Sequence, residues 1–338
     1  EPIRPKRSEA DPDVDYLLPR LQEFYEKAIA AVRKIDTKHL FTLEGHHWAS
    51  TTNIFHKKYD EKMVIHFHRY GCQPDIACYQ EFIELSRKLD CPLWLGETGE
   101  NVPEWFTAMY PLAAELSIGY NLWSYKKMDA VNCPCSIKKP KDWELLLNYA
   151  KKGKRPGYRK AQEILEEYLE NMKLANCELH PEVTKAVFRQ PGSIIRGTDF
   201  DQFPGKGISC SGIFPEENIY GYRMGMGMEI KNKFPDHKQA FGFDCGWKRF
   251  VLVLSGNEFA CYSLFGSKPD SSLWIHLYVE EDAEIIVSAG EKVLENCRLT
   301  AGREQQEIGP LSIGGGERNV IRIEAVSGRV EIEEIVTA

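Results

Sequence analysis

The residues best placed to do chemistry sit at the ends of three short apolar runs. Cys91-Pro-Leu-Trp-Leu-Gly-Glu97-Thr-Gly99 reads as a buried parallel strand that delivers a carboxylate at its C-terminal end. Upstream, Met63-Val-Ile-His66-Phe-His68-Arg-Tyr70 repeats the pattern with imidazoles, and downstream Gly119-Tyr-Asn-Leu-Trp123-Ser-Tyr125-Lys repeats it with aromatic rings. Parallel strands of a barrel present their reactive groups at their C-terminal ends. A carboxylate, imidazoles and rings converging there would supply a nucleophile, acid–base groups and a stacking platform.

Those strands need elements to hold them. Residues 14–35 place Leu21, Phe24, Tyr25, Ile29 and Val32 at helical spacing, and Leu40-Phe-Thr-Leu43 then reads as a strand leading into Glu44-Gly-His46-His47-Trp48. Helices are expected over 75–89 and 103–117, with 142–150 and 158–174 as closing helices. Taken as alternating positions of a strand, His66 and His68 are expected on opposite faces, one lining the pocket and one packing outside it. His46, His47 and His56 add to a histidine-rich region, but a metal site would need convergent ligands with supporting partners.

A strand ending in Gly-Glu97-Thr-Gly, preceded by one ending in His66-Phe-His68 and followed by one ending in Trp123-Ser-Tyr-Lys, resembles strands six to eight of a family 5 glycoside hydrolase. That family is a retaining (β/α)8, or TIM, barrel. The resemblance implies that Glu97 is the nucleophile, His66 the strand-six histidine and Trp123 the tryptophan flooring the sugar subsite. It implies that Glu1, in Glu1-Pro2, is the acid/base residue of the strand-four motif. His68 departs from the family pattern, which has tyrosine there; with Tyr70, Trp48 and Trp105 it is a candidate for lining the substrate subsite.

The implied reaction is double displacement on a β-linked glycan of the endo-β-glucanase or mannanase kind. One carboxylate attacks the anomeric carbon while an acid about 5–5.5 Å away protonates the leaving oxygen. A complete barrel takes roughly 250 residues, whereas a strand-rich segment begins near Gly192. The expectation is therefore a barrel truncated at its N-terminus to about strands five to eight, inactive by itself, over residues 1–177, with a connector over 178–192.

From 193 to 338, short β-rich runs separated by turn signals argue for an antiparallel sandwich. Ile194-Ile-Arg-Gly-Thr-Asp199-Phe-Asp201, Trp247-Lys-Arg-Phe-Val-Leu-Val and Asn319-Val-Ile-Arg-Ile-Glu324 resemble a galactose-binding-like jelly roll of the kind found in family 6 and 35 carbohydrate-binding modules. That resemblance implies a structural calcium, for which Asp199, Asp201 and Glu333 are the candidates. Trp247, Trp274 and Tyr262 are the candidate sugar-stacking rings. No other cofactor is expected.

With 338 residues and 43% hydrophobic content, the chain can bury substantial cores, and a net charge of −7 argues against a nucleic-acid partner. No apolar run reaches the ~18 residues of a membrane span, so no membrane partner is expected. The ten cysteines lack paired Cys-x2-Cys spacing and favour a reducing compartment. The expected partner is a polysaccharide or oligosaccharide. Two rivals stand beside the hydrolase: a non-catalytic carbohydrate-binding protein, and a metal-dependent barrel hydrolase using the histidines.

Overall fold

The computed structural model describes residues 15–201, 210, 222–223 and 228–338. Its first part is a parallel α/β layer. Helix α1 (Leu18–Arg33) precedes strand β1 (Phe41–Glu44), and β2 (Met63–Arg69), β3 (Leu93–Gly99) and β4 (Gly119–Trp123) follow. Helix α3 (Gln80–Leu89) joins β2 to β3, and α4 (Pro103–Glu115) joins β3 to β4. A short turn, α2 (His46–Ala49), leaves β1. The strands pair in the order β1-β2-β3-β4, all parallel.

Apolar burial fixes which way each strand faces. Leu43, Ile65, Phe67 and Leu95 pack with Tyr79, Phe82, Leu85, Phe106, Met109 and Tyr110 on the helical side, and the Phe67 and Phe82 rings stack at 4.3 Å. Period two then sends Glu44, His66 and His68 to the opposite face. Among the described residues β1 and β4 each pair on one side only, so the sheet is open and no closed barrel forms.

The two helices expected to close a barrel do form, as α5 (Trp143–Ala150) and α6 (Tyr158–Asn171). However, α5 buries no residue and α6 only Ile164. A small sheet of β5 (Lys126–Met128), β6 (Cys135–Ile137) and β7 (Glu178–Leu179) lies beside them. The segment expected as a connector carries a helix: α7 (Pro181–Val187) buries Val183, Ala186 and Val187 in the same core as the parallel sheet. Its seven residues are too few for the 3.6-residue period to show in sequence.

The C-terminal part is an antiparallel β-sandwich. One sheet runs β15 (Gly302–Ser312), β12 (Ser272–Val279), β17 (Arg329–Thr337), β10 (Phe250–Ser255), β9 (Glu229–Asn232), with β8 (Ile194–Arg196) also on β17. The other runs β11 (Phe259–Ser267), β16 (Gly316–Ser327), β13 (Ala283–Ala289), β14 (Lys292–Leu299). Strand β12 shows the governing pattern, with Leu273, Ile275, Leu277 and Val279 buried and the residues between them half-buried. These side chains meet Ile285, Val287, Ile321, Ile323, Ile332 and Ile335 in a second core.

The two parts share apolar packing. Ile230, Trp247 and Phe250 of the sandwich belong to the core of the α/β layer. Across the same boundary Thr107 donates its hydroxyl to the Ile194 carbonyl at 3.0 Å, and Lys248 pairs with Glu104 at 2.8 Å. No helix among the described residues is long and apolar enough to cross a membrane.

Candidate functional site

The rim of the parallel sheet gathers most of the residues singled out by sequence. Glu97 arrives through a break in register: Phe67 pairs with Leu95 but His68 with Glu97, and Leu95 pairs with Tyr120 but Thr98 with Leu122. Such a bulge re-aims side chains. Gly96 is the residue that permits it, because a Cβ there would lie 1.5 Å from His66 Nε2. Any side chain at position 96 would evict the imidazole.

Once placed, Glu97 keeps a side chain 30% exposed. The Tyr70 hydroxyl donates to its Oε2 at 3.0 Å, and His68 Nδ1 faces the same oxygen at 3.5 Å. His68 Nε2 stands 3.2 Å from His66 Nε2, and His66 Nδ1 faces Glu44 Oε1 at 3.5 Å. The result is a continuous run of polar groups: Glu44, His66, His68, Glu97, Tyr70. The two histidines therefore share a face, correcting the expectation of opposite faces; residues i and i+2 of a strand point the same way.

Burial first, and then the neighbouring His66, pushes His68 down to about 4, so its ring is neutral at neutral pH. Burial, reinforced by the charge of Glu97, pushes the Tyr70 phenol well up, so it remains a hydrogen-bond donor across the ordinary pH range. Tyr70 thus holds the carboxylate, a role the sequence had left as generic substrate contact.

The remaining candidates divide. Trp123 ends β4 with its side of the rim open, 46% exposed, and its residue pairs with Gly99 across the ladder. Trp48 is half-buried in a left-handed turn formed by His47, Trp48 and Ala49 at φ 53, 55 and 54°. Consecutive non-glycine residues in that region are held against a local preference. Trp105 is fully buried and donates its indole N–H to the Cys72 carbonyl at 2.9 Å, which leaves no ring face for a ligand and removes it from the subsite. Glu1 lies outside the described residues.

Two residues at the rim escaped the sequence reading as site residues. Glu44 ends β1 directly opposite His66, and its signal was there, since it closes an apolar run as Glu97 does. Phe243 had none, for it comes from the sandwich. Its ring tilts against Tyr70 at 5.3 Å between centroids, and its carbonyl accepts from Asn101 Nδ2 at 2.8 Å. Gly71, at φ +59°, provides the close approach, with Phe243 3.3 Å from where a Cβ would stand.

The three carboxylates expected to hold calcium have other partners. Asp201 accepts from Arg189 Nη1 at 2.6 Å and from Ser263 Oγ at 2.8 Å, while Asp199 accepts from the Tyr222 hydroxyl at 2.8 Å. Glu333 faces Arg196 at 3.4 Å and accepts from Gln305 at 2.7 Å. A cation bound by all three would have to compete with three guanidinium groups, of Arg189, Arg196 and Arg223. Trp247 and Tyr262 are fully buried, so neither offers a stacking face; Trp274 is half-buried. Among the described residues, the group whose ligand atoms do converge, all within 4.8 Å, is Glu44, His66 and His68.

No protein-family model matches the chain, and no curated relative matches it. Among solved structures, a family 6 carbohydrate-binding module from Clostridium stercorarium in complex with cellobiose is 12% identical, over 44% of this chain and 95% of the module, at a TM-score of 0.31. A family 36 module in complex with calcium and xylotriose is 10% identical, over 43% of this chain and 98% of that one, at 0.26. At these scores the likeness is loose. The β-sandwich is established by its own strand order and core.

Proposed function

We propose that the rim is the nucleophile half of a retaining glycoside hydrolase site acting on β-linked glycans, of the family 5 kind and endo-glucanase- or mannanase-like. The observation that carries this reading is Glu97, presented at the C-terminal end of a parallel strand and held by the Tyr70 hydroxyl at 3.0 Å. A nucleophilic carboxylate must stay ionised and aimed, and a phenol that donates to it without giving up its proton favours that state. On the neighbouring strand, Trp123 offers an exposed ring for the apolar face of a sugar. In the full reaction Glu97 attacks the anomeric carbon, and the resemblance assigns the opposing acid to Glu1. We further propose residues 1–177 as the catalytic unit and 193–338 as a carbohydrate-binding unit.

The test isolates the nucleophile from the acid. A 2-deoxy-2-fluoro-β-glucoside or -mannoside with a dinitrophenolate leaving group needs no protonation to depart, and the fluorine slows hydrolysis of the glycosyl-enzyme. Mass spectrometry should find one sugar on the peptide carrying Glu97, with none in Glu97→Gln. Labelling elsewhere, or none at all with either sugar, overturns the assignment.

A further inference from the structure

We propose that His66 and His68 bind one divalent transition-metal ion through their facing Nε2 atoms, with zinc the best match. The inference stands on the geometry of the pair and does not depend on the glycosidase reading.

Each imidazole turns its Nδ1 toward a carboxylate oxygen, His66 toward Glu44 and His68 toward Glu97, both at 3.5 Å. A neutral imidazole has one N–H. A carboxylate oxygen near each Nδ1 favours the hydrogen there, and in that tautomer each Nε2 is a bare lone pair. The two Nε2 atoms nevertheless stand 3.2 Å apart. Two lone pairs so close repel unless a cation lies between them.

A metal ion fits that place. Two nitrogens each about 2.0–2.1 Å from zinc, at a tetrahedral angle, stand about 3.3–3.4 Å apart, close to the separation here. Histidine ligands also characteristically give their other N–H to a carboxylate, which fixes the tautomer and strengthens the donor. Here each ring has a carboxylate oxygen 3.5 Å from its Nδ1, and His68 also bonds to the Trp48 backbone. Imidazole donors select zinc, copper or nickel over calcium and magnesium, which prefer oxygen. Access is open from the Glu44 side, where that side chain is 39% exposed. Two protein ligands leave positions for water, unlike a closed four-ligand structural site.

The experiment is titration of the metal-free chain with Zn²⁺ by calorimetry, and with Co²⁺ by absorption to separate imidazole from thiolate ligands, since the chain has ten cysteines. One equivalent with a cobalt spectrum free of thiolate charge transfer is expected, lost in His66→Ala and His68→Ala. Glu44→Gln should weaken it by about 10–100-fold. Because His68 is buried, His66→Gln serves as a milder variant, with circular dichroism to confirm folding. His276→Ala, on the sandwich between Glu307 and Glu334, should leave it unchanged. Absence of binding at about 1 mM metal, near the weak end of useful affinity, overturns the proposal, with a shared proton then bridging the rings. Binding that persists in folded His66→Gln overturns it as well.

Discussion

The rim of the parallel sheet and the interior of the sandwich use similar charged groups to opposite ends. In the sandwich, Asp201 and Arg189 are both buried and meet at 2.6 Å, and Glu331, also buried, takes Lys231 at 2.5 Å and Lys233 at 2.7 Å. Each of these two carboxylates has a fixed cation. At the rim, Glu44 and Glu97 face imidazoles and a phenol and remain partly open to solvent. The lesson concerns availability. A carboxylate matched by a guanidinium is a structural element, whereas one matched by neutral donors and facing water retains the capacity to react.

The sharpest way to break that comparison is at Arg189. Removing one partner of a buried pair leaves an uncompensated charge and costs about 3–5 kcal/mol, a large part of the ~5–15 kcal/mol of a typical domain. Arg189→Met should lower the urea midpoint accordingly, while Glu97→Gln shifts it by less than about 1 kcal/mol. Equal effects would show that the rim carboxylate is structural too.

Asp199 gives a second, smaller test through pH. Burial is the leading cause that pushes it up to about 6 from 3.8, opposed by Arg223 and the Tyr222 hydroxyl. The folded protein therefore binds its proton more tightly than the unfolded chain. Its contribution is fully present below about 3.8 and is lost as pH rises through about 6. About 3 kcal/mol is at stake over the full range. Urea midpoints for Asp199→Asn, compared with the parent at pH 4 and pH 7, should show a smaller fall over that interval. An identical pH slope in the two proteins would place the titration on another group.

How much of this was legible in sequence follows from where each signal is written. β1 to β4 and the helices between them announced themselves because both faces of a parallel strand, and the buried stripe of a helix, are apolar over several residues. β14 and β15 did not, since they carry Glu295, Arg298, Arg303, Glu304 and Gln305 on largely exposed edges, where alternation has nothing to enforce it. Glu97, His66 and Trp123 stand out as candidates because each puts a chemical group at the end of an apolar run. The role of Tyr70 depends on a bulge at Gly96 that pairing alone reveals. The buried state of Trp105 depends on α4 packing under the sheet, a tertiary fact. The arginine partners of Asp199 and Asp201 likewise come from folding, as acidic residues on strands look the same whether they await a cation or already have one.

The smallest effect bears on whether the sandwich is merely attached to the α/β layer or helps to build its rim. The segment carrying Phe243 is fastened from both sides: Asp244 accepts from the Ala240 and Gly246 amides at 3.0 and 2.9 Å, and Cys245 donates to the Cys72 carbonyl at 3.1 Å. Phe243 is thereby held against Tyr70, the donor to Glu97. An aromatic pair is worth about 0.5–1.5 kcal/mol beyond its burial, so Phe243→Ala should lower stability by about 1 kcal/mol, and Phe243→Tyr should recover most of it. The same truncation uncovers the Tyr70 phenol. Since burial is the first cause raising it, its surroundings should become more aqueous in Phe243→Ala, which can be followed by the ring resonances of a selectively labelled tyrosine. A Tyr70 resonance at the same position in the parent and in Phe243→Ala would mean that the sandwich leaves the rim untouched, and the two regions would then be neighbours without a shared site.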